Sequence, residues 1–239
     1  MRIEVISTVD EVMIEHIKHK TVIVIDVLRA SSTIATALAH GATKVIPVDT
    51  IGQANLFRQE GYLLAGERYG KKVIGFPFTN SPIEMTQAPL KGNALVLTTT
   101  NGTRAIQKSW KAASTLIGSF LNSNACAQLA MQLKRDLTIL CAGSRQQFSF
   151  EDGLCAGYIV SLIEAQVPHL FVNDLGKTLS AAYRYVDEHL PAVLKTSAAG
   201  KRLVQSGQED DVAYCAQKDI YSFVPTLVED AIIIPADPF

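Results

Sequence analysis

The stretch TVIVIDVLRASSTIATALA, residues 21–39, decides the fold class of this protein. Its first five residues are uncharged and mostly β-branched, which predicts a strand that is buried on both faces. A polar turn that begins with Asp26 follows, and residues 34–39 then predict a helix that ends at Gly41. A second strand is predicted over residues 44–48. This order of strand, polar turn, helix and strand is typical of an α/β sheet.

Two further segments repeat the pattern. The run ALVL (94–97) precedes the turn TTTNGT (98–103), and the run LTILC (137–141) precedes the turn AGSR (142–145). Asn-Gly in the first turn also suits a hairpin, but the helical residues after it favour a strand-to-helix turn. We therefore predict a three-layer α/β/α architecture with a mostly parallel or mixed sheet. The chain reads as a single domain, 1–239, in which the spacing of the first two units hints at an internal duplication and two similar α/β lobes.

The remaining elements are predicted from turn formers and apolar periodicity. The two prolines and turn residues of GFPFTNSP (75–82) predict an ordered loop. The other predicted elements are helices over 104–107, 153–164, 176–190, 200–206 and 210–217, and strands over 115–118 and, at the end of the chain, 231–235.

The composition excludes several classes of protein. The 239 residues are 48% hydrophobic and 19% charged, so the chain can bury a core. Lys plus Arg total 22 against 23 for Asp plus Glu, and this net charge of -1 provides no field that would attract a nucleic-acid backbone. Apolar runs fall far short of the ~18 to 20 residues of a membrane span. Glu4, in the place of a signal's apolar region, argues against secretion.

The cysteines and the absent motifs narrow the chemistry further. Cys126, Cys141, Cys155 and Cys215 form no Cys-x-x-Cys pair, so we expect buried thiols in a reducing cytoplasm rather than a zinc or redox site. A catalytic thiolate at Cys141 is disfavoured, because no Cys-x5-Arg phosphatase loop is present. The P-loop, the dinucleotide-binding turn, the zincin motif and the α/β-hydrolase elbow are also absent from the sequence.

The ends of the predicted strands carry the residues that could perform chemistry. Asp26 ends an apolar strand, where it either caps the turn or serves as a carboxylate ligand of Mg²⁺, and Arg29 is its local partner. Ser31 and Ser32 open a helix and could bind an anion there. Glu67 and Arg68 repeat the pairing of acid and base, although such a pair is often a solvated surface feature.

Two further strand ends supply hydroxyl groups and acids. In the 98–103 turn, small hydroxyl and amide side chains surround Gly102 and could point donors at an oxyanion. Glu151 and Asp152 precede a predicted helix, where they either offset the helix dipole or complete a cation site. Acids and arginines at one sheet edge predict a small polyanionic substrate held with a divalent cation, and hence metal-assisted phosphoryl chemistry. The arginines concerned are Arg29, Arg68, Arg104 and Arg145.

These motifs, taken together, carry a family resemblance. The chain resembles the 2-phosphosulfolactate phosphatase family over nearly its whole length, in DVLRASST (26–33), GER (66–68), NSP (80–82), TTTNGT (98–103), CAG (141–143) and ED (151–152) with CAG (155–157). The resemblance implies a Mg²⁺-dependent hydrolysis of 2-phospho-3-sulfolactate to 3-sulfolactate and phosphate, a step of one route to coenzyme M.

The resemblance also suggests roles for particular residues. We expect Asp26, Glu67, Glu151 and Asp152 to provide the Mg²⁺ ligands, and Asp26, Arg29, Glu67 and Arg68 to act in catalysis. We expect Arg104 or Arg145 to bind the sulfonate or carboxylate. The full set of expected substrate contacts is Ser31, Ser32, Asn80, Ser81, Thr98, Thr99, Thr100, Asn101, Gly102, Thr103, Arg104 and Arg145.

Several alternatives remain open at this point. Water activated by the cation could attack phosphorus, or Asp26 could attack and form an aspartyl phosphate; we favour water, because the chain lacks a second Asp two residues after Asp26. The substrate could be a different small acid phosphate, or the protein could bind anions without catalysis. We expect no nucleic-acid or membrane partner, and a homodimer is one option for its assembly.

Overall fold

The computed structural model describes residues 1–236, and these contain a large sheet covered by helices. The strands are β1 (Arg2–Ile6), β2 (Thr21–Ile25), β3 (Lys44–Pro47), β4 (Leu63–Arg68), β5 (Lys71–Lys72), β6 (Ala94–Thr98), β7 (Ser114–Gly118), β8 (Leu137–Cys141), β9 (Phe171–Val172), β10 (Thr226–Val228) and β11 (Ala231–Ile233). The helices are α1 (Ile14–Ile17), α2 (Ala30–Ala39), α3 (Ile51–Leu56), α4 (Pro82–Gln87), α5 (Gly102–Lys108), α6 (Ser123–Gln132), α7 (Phe150–Glu164), α8 (Asp174–Val186), α9 (Leu190–Thr196), α10 (Ala198–Gln205) and α11 (Glu209–Cys215).

The sheet consists of two parallel blocks joined by an antiparallel hairpin. Its strand order is β5-β4-β6-β3-β11-β10-β7-β2-β8-β1-β9. One block pairs β4, β6 and β3 in parallel, and the other pairs β7, β2, β8, β1 and β9 in parallel. Between them, β11 runs antiparallel to β3 and β10 runs antiparallel to β7. The predicted α/β class is therefore confirmed, and the sheet is mixed.

The central strand β2 shows why the sequence forms three layers. Every residue of β2 is buried, as its apolar run predicted. Ile23 and Ile25 pack on one face, in a core cluster with side chains of α6, α7 and α8. Val22 and Val24 point to the other face, in a cluster with side chains of α2, α4 and α5. Because side chains alternate along a strand, one apolar run supplies both cores.

Several element boundaries differ from the sequence prediction. The helix expected over 176–190 ends at Val186, and after a short 3-10 turn a separate helix begins at Leu190. Pro191 lies in the first turn of that helix, where its missing N–H group is tolerated; inside one long helix it would break the hydrogen-bond ladder. The terminal strand is half of a hairpin whose other half, β10, has only three residues and gave no recognisable pattern.

The expected strand-to-helix turn and the expected burial of the cysteines are confirmed within residues 1–236. The Asn101-Gly102 turn joins a strand to a helix, because α5 begins at Gly102 with Asn101 as its N-cap. The four cysteines are buried and form no disulfide. Over this described part of the chain, no helix combines the length and the apolar character that a membrane crossing requires.

Candidate active site

A pocket of about 280 Å³ lies at the sheet edge where the parallel strands end. The turns after β2, β6 and β8, the end of β4, the start of α7 and one face of α10 all contribute to it. Ligands of parallel sheets generally bind at this edge. The pocket's charged residues are Asp26, Arg29, Glu67, Lys71, Arg145, Glu151, Asp152 and Arg202, and its polar residues include Asn80, Thr99, Thr100, Asn101, Ser144 and Ser149.

Asp26 occupies the turn between β2 and α2. Its Oδ1 accepts a hydrogen bond from the Ala30 backbone N–H at 3.2 Å. The Ser31 hydroxyl accepts from the Asp26 N–H at 3.1 Å and donates to the Asp26 carbonyl oxygen at 2.8 Å, which fixes the turn. The pKa of Asp26 is raised to about 7, mainly by burial; the Ala30 hydrogen bond lowers it, and the negative charges of Glu67 and Glu151 raise it.

Glu67 has both carboxylate oxygens engaged by the backbone. Oε1 accepts from the Thr100 N–H at 2.8 Å, and Oε2 accepts from the Gly70 N–H at 2.6 Å. The first of these bonds connects the end of β4 to the turn after β6. Glu67 therefore holds one wall of the pocket together while its charge faces Asp26.

Asp152 connects two other turns in the same way. Its Oδ1 accepts from the Val27 N–H at 2.8 Å, after β2, and its Oδ2 accepts from the Gly143 N–H at 3.2 Å, after β8. Burial and the neighbouring charges of Glu151 and Asp26 raise the pKa of Asp152 well above its usual value. Burial also raises the pKa of Glu151, while a Ser197 hydrogen bond and the charge of Arg202 act in the opposite direction.

Gly102 is required by the close approach of two turns. A Cβ atom at this position would lie 2.6 Å from Oδ2 of Asp26 and 2.5 Å from Cβ of Ala30, both closer than van der Waals contact allows. The glycine thus lets the turn after β6, in one parallel block, lie directly against Asp26, in the other.

Arg29 reaches the pocket but has a different partner from the one its sequence position indicates. The expected local partner was Asp26, whereas the ion pair of Arg29 is with Asp211 of α11. The charge of Arg29 still lowers the pKa of Asp26, so the two groups lie in one electrostatic environment. The pairing of Arg29 with Asp211 has a topological cause, because α11 packs against α4 and brings a carboxylate that lies 182 residues away in the chain.

Two predicted arginines lie outside this pocket. The guanidinium group of Arg68 donates to the carbonyl oxygens of Glu67 and Asp49 and to the Thr98 hydroxyl, all at 2.6 or 2.7 Å. Arg104 pairs with Asp10 at 2.9 Å and faces a separate depression. Arg104 is the third residue of α5, and the helix turns its side chain away from the sheet edge.

The remaining predicted contacts divide into lining and supporting residues. Asn80, Thr99, Thr100, Asn101 and Arg145 line the pocket. Oδ1 of buried Asn80 has no hydrogen-bond partner within residues 1–236, which leaves it available to a ligand donor. The supporting residues are absent from the lining and instead hold the turns through hydrogen bonds or close packing: Ser31, Ser32, Ser81, Thr98, Gly102 and Thr103.

Sequence reasoning missed two basic residues of the pocket. Lys71 lies in the short strand β5, four residues after Glu67 at the end of β4. Arg202 projects from α10. An Arg202 nitrogen lies 3.4 Å from the Ser144 hydroxyl, and its charge lowers the pKa of Glu151. Candidate residues were chosen at the ends of predicted strands, and neither Lys71 nor Arg202 stands at such a position. The amphipathic spacing around Arg202 predicted a helix but gave no indication of what that helix covers.

The pocket's donor chemistry suits a hard cation. Four carboxylates line it, and the charges of Glu67 and Glu151 raise the pKa of Asp26. Within residues 1–236, no group of three or more His, Cys, Asp or Glu side chains converges closely enough to hold a metal by itself. Mg²⁺ is commonly bound by one or two carboxylates with substrate oxygens and water, so these residues fit such a site.

Comparison with known proteins identifies the family to which the chain belongs. A family model described as 2-phosphosulpholactate phosphatase matches residues 6–230. Similar proteins include probable 2-phosphosulfolactate phosphatases of Clostridium acetobutylicum, 39% identical over 98% of this chain and 100% of the relative, and of Thermotoga petrophila, 41% identical over 92% and 94%. A third, of Symbiobacterium thermophilum, is 38% identical over 92% and 96%. The resemblance seen in the motifs is thereby confirmed, and the chain belongs to the 2-phosphosulpholactate phosphatase family, a family of phosphoric monoester hydrolases.

Proposed function

We propose that this protein hydrolyses 2-phospho-3-sulfolactate to 3-sulfolactate and phosphate with Mg²⁺ as its cofactor. One observation carries the proposal: four carboxylates and four basic side chains, drawn from both parallel blocks, line one pocket. The relatives are named as probable 2-phosphosulfolactate phosphatases, which supports the same ester as substrate.

The charges of the pocket suit this substrate. The ester carries a phosphate, a carboxylate and a sulfonate, so it needs several positive partners. Arg29, Lys71, Arg145 and Arg202 can provide them, and a guanidinium group matches the paired oxygens of each of these anions. With Arg104 turned away, Arg145 and Arg202 are the proposed partners of the sulfonate and carboxylate.

The other residues have distinct proposed roles. Asp26 and Glu151 would hold Mg²⁺, because both oxygens of Glu67 and of Asp152 already accept backbone N–H groups. When bound, Mg²⁺ would neutralise phosphate oxygens and lower the pKa of a nearby water. Arg29 binds the phosphate, and Asn80 Oδ1 can accept a hydrogen bond from the attacking water, because the ionised ester has no donor group of its own.

The proposed route uses attack by water, with Asp26 positioned beside the phosphate. The competing route, in which an Asp26 oxygen attacks phosphorus, would leave a phosphate covalently attached to this carboxylate. Rapid acid quench of the enzyme with ³²P-labelled substrate separates the two routes. We expect no labelled protein; label on Asp26 would contradict attack by water.

The proposal is tested by phosphate release from a panel of small esters, with Mg²⁺ and with a chelator. The panel compares 2-phospho-3-sulfolactate with 2-phospholactate, which lacks the sulfonate, and with phosphoglycolate. We expect the sulfonated ester to have the highest kcat/KM and the chelator to abolish its turnover. Equal turnover of 2-phospholactate would instead indicate a different small acid phosphate as the substrate, and full activity with the chelator would contradict the role of Mg²⁺.

A further inference from the structure

A buried ion pair connects the pocket to the C-terminal helices. The guanidinium group of Arg29 donates from one terminal nitrogen to Oδ2 of Asp211, and both side chains are only 4% exposed. Arg29 lines the pocket, whereas Asp211 lies behind it. The two charges therefore have different access to a ligand, although they form one pair.

The surroundings of Asp211 hold its carboxylate in a fixed position. Its Oδ1 accepts from the Ser81 hydroxyl at 2.6 Å, and the Ile83 N–H lies 3.4 Å from the same oxygen. These donors come from the start of α4, and Arg29 comes from the turn after β2. Three segments that are far apart in the chain thus meet at one carboxylate.

The geometry of arginine makes this contact useful for binding an anion. A guanidinium group has five N–H donors in a rigid plane, so a carboxylate on one edge leaves other donors free for a second anion. Within residues 1–236 we find no second hydrogen bond from the Arg29 guanidinium group. A flexible arginine would lose side-chain entropy when it binds substrate, and a partner that fixes it beforehand reduces this loss.

We infer that Asp211 is a positioning residue for Arg29: it holds the guanidinium group at the rear, so that its remaining N–H donors face the phosphate of the ligand. The inference deepens the proposed function and rests on it for the choice of ester. It requires only that Arg29 binds phosphate oxygens, and it assigns no contact between Asp211 and the substrate.

The sharpest test is chemical rescue. In Arg29→Ala, added guanidinium ions at concentrations far below those that unfold proteins should enter the vacated space, bind Asp211 and restore part of the lost kcat/KM. In Arg29→Ala/Asp211→Asn the same ions should restore nothing. The double variant removes both charges, so it leaves no unpaired ion in the core and should fold. Equal rescue of both variants, or rescue of neither, would overturn the inference.

A second measurement separates this inference from the proposed function. Calorimetry with inorganic phosphate needs no ester, and we expect Asp211→Asn to weaken phosphate binding by at least ~10-fold, the loss of one well-placed charged contact. The matched control is Asp210→Asn, which removes the same charge from an exposed neighbour on α11 and should bind phosphate as the wild type does. Unchanged affinity in a folded Asp211→Asn protein would overturn the inference. Phosphate binding that follows this pattern without ester hydrolysis would contradict the proposed function alone.

Discussion

Asp26 and Asp152 are the same residue type in the same pocket, yet their surroundings differ. Both oxygens of Asp152 accept backbone N–H groups from two separate turns, whereas Asp26 accepts one such bond, from Ala30 in its own turn. Asp152 is 2% exposed, while Asp26 is only partly buried. A carboxylate whose oxygens are all engaged holds structure together, and one with a free oxygen is available for chemistry.

Glu67 extends the comparison to the other parallel block. Like Asp152, it uses both oxygens on backbone N–H groups, and one of these bonds joins the ends of two different strands. Each parallel block therefore has one carboxylate that joins two of its turns or strand ends through backbone hydrogen bonds, Glu67 in one block and Asp152 in the other. Glu67 has a second effect, because its negative charge adds to burial in raising the pKa of Asp26.

The largest expected effect is on turnover. Asp26→Asn should lower kcat by at least ~100-fold, as the loss of a central electrostatic group commonly does, while the protein remains folded. Steady-state phosphate release and thermal unfolding of the same sample measure both quantities. Asp49→Asn is the matched control, because burial also raises the pKa of Asp49 but this residue lies in a different depression. A loss of less than ~3-fold in Asp26→Asn would remove Asp26 from the chemistry.

Asp152→Ala should instead act mainly on stability. It leaves the N–H groups of Val27 and Gly143 without their partner, and each buried unsatisfied donor costs about 1 to 3 kcal/mol. We expect the free energy of unfolding to fall by about 2 to 4 kcal/mol, measured by urea denaturation. An unchanged urea midpoint would show that Asp152 does not hold the two turns together.

The raised pKa of Asp26 predicts a pH dependence of stability without metal. Because the pKa rises from 3.8 to about 7 on folding, the folded protein binds this proton more tightly than the unfolded chain. The stabilisation of the folded state that comes from this proton is fully present below pH 3.8. It is lost as the pH rises to about 7. Allowing for pocket water, we expect a loss of roughly 1 to 2 kcal/mol. Urea denaturation with a chelator, at several pH values in this window, should show a smaller decline for Asp26→Asn; an identical decline would contradict the assignment.

The smallest expected effect is at Arg104. Its pair with Asp10 is partly exposed and lies outside the pocket, so Arg104→Ala should change stability by less than about 1 kcal/mol. The KM for the ester should stay within ~2-fold of wild type. Arg202→Ala is the matched comparison and should raise KM clearly, because Arg202 lines the pocket. The reverse order of these two KM values would restore Arg104 as a substrate contact.

Much of the fold followed from local patterns. The apolar runs of β2, β6, β7 and β8 predicted strands that are buried throughout, because a strand covered on both faces needs no polar residue. The polar turns after β2, β6 and β8 were correctly placed at one sheet edge. The hairpin that joins the two blocks was not predicted, since three residues of β10 show no usable periodicity.

The candidate site was predictable only in part. Asp26, Glu67, Glu151 and Asp152 do line one pocket, because parallel strands bring their carboxyl ends to the same edge. The partners of the arginines were not predictable. Arg29 pairs with Asp211, Arg68 donates to the carbonyl oxygen of Asp49 and Arg104 pairs with Asp10, and none of these three partners is a neighbour in sequence.

The sequence by itself determined which residue types stand at the strand ends, and hence the family and the acidic and basic character of the pocket. Those features are local, since they depend on a residue's place after an apolar run. Only the tertiary structure decided which carboxylate keeps a free oxygen and which arginine faces the ligand. The physical reason is that these charged groups form hydrogen bonds with partners 94 to 182 residues away in the chain, and the packing of the helices and strands decides which partners meet.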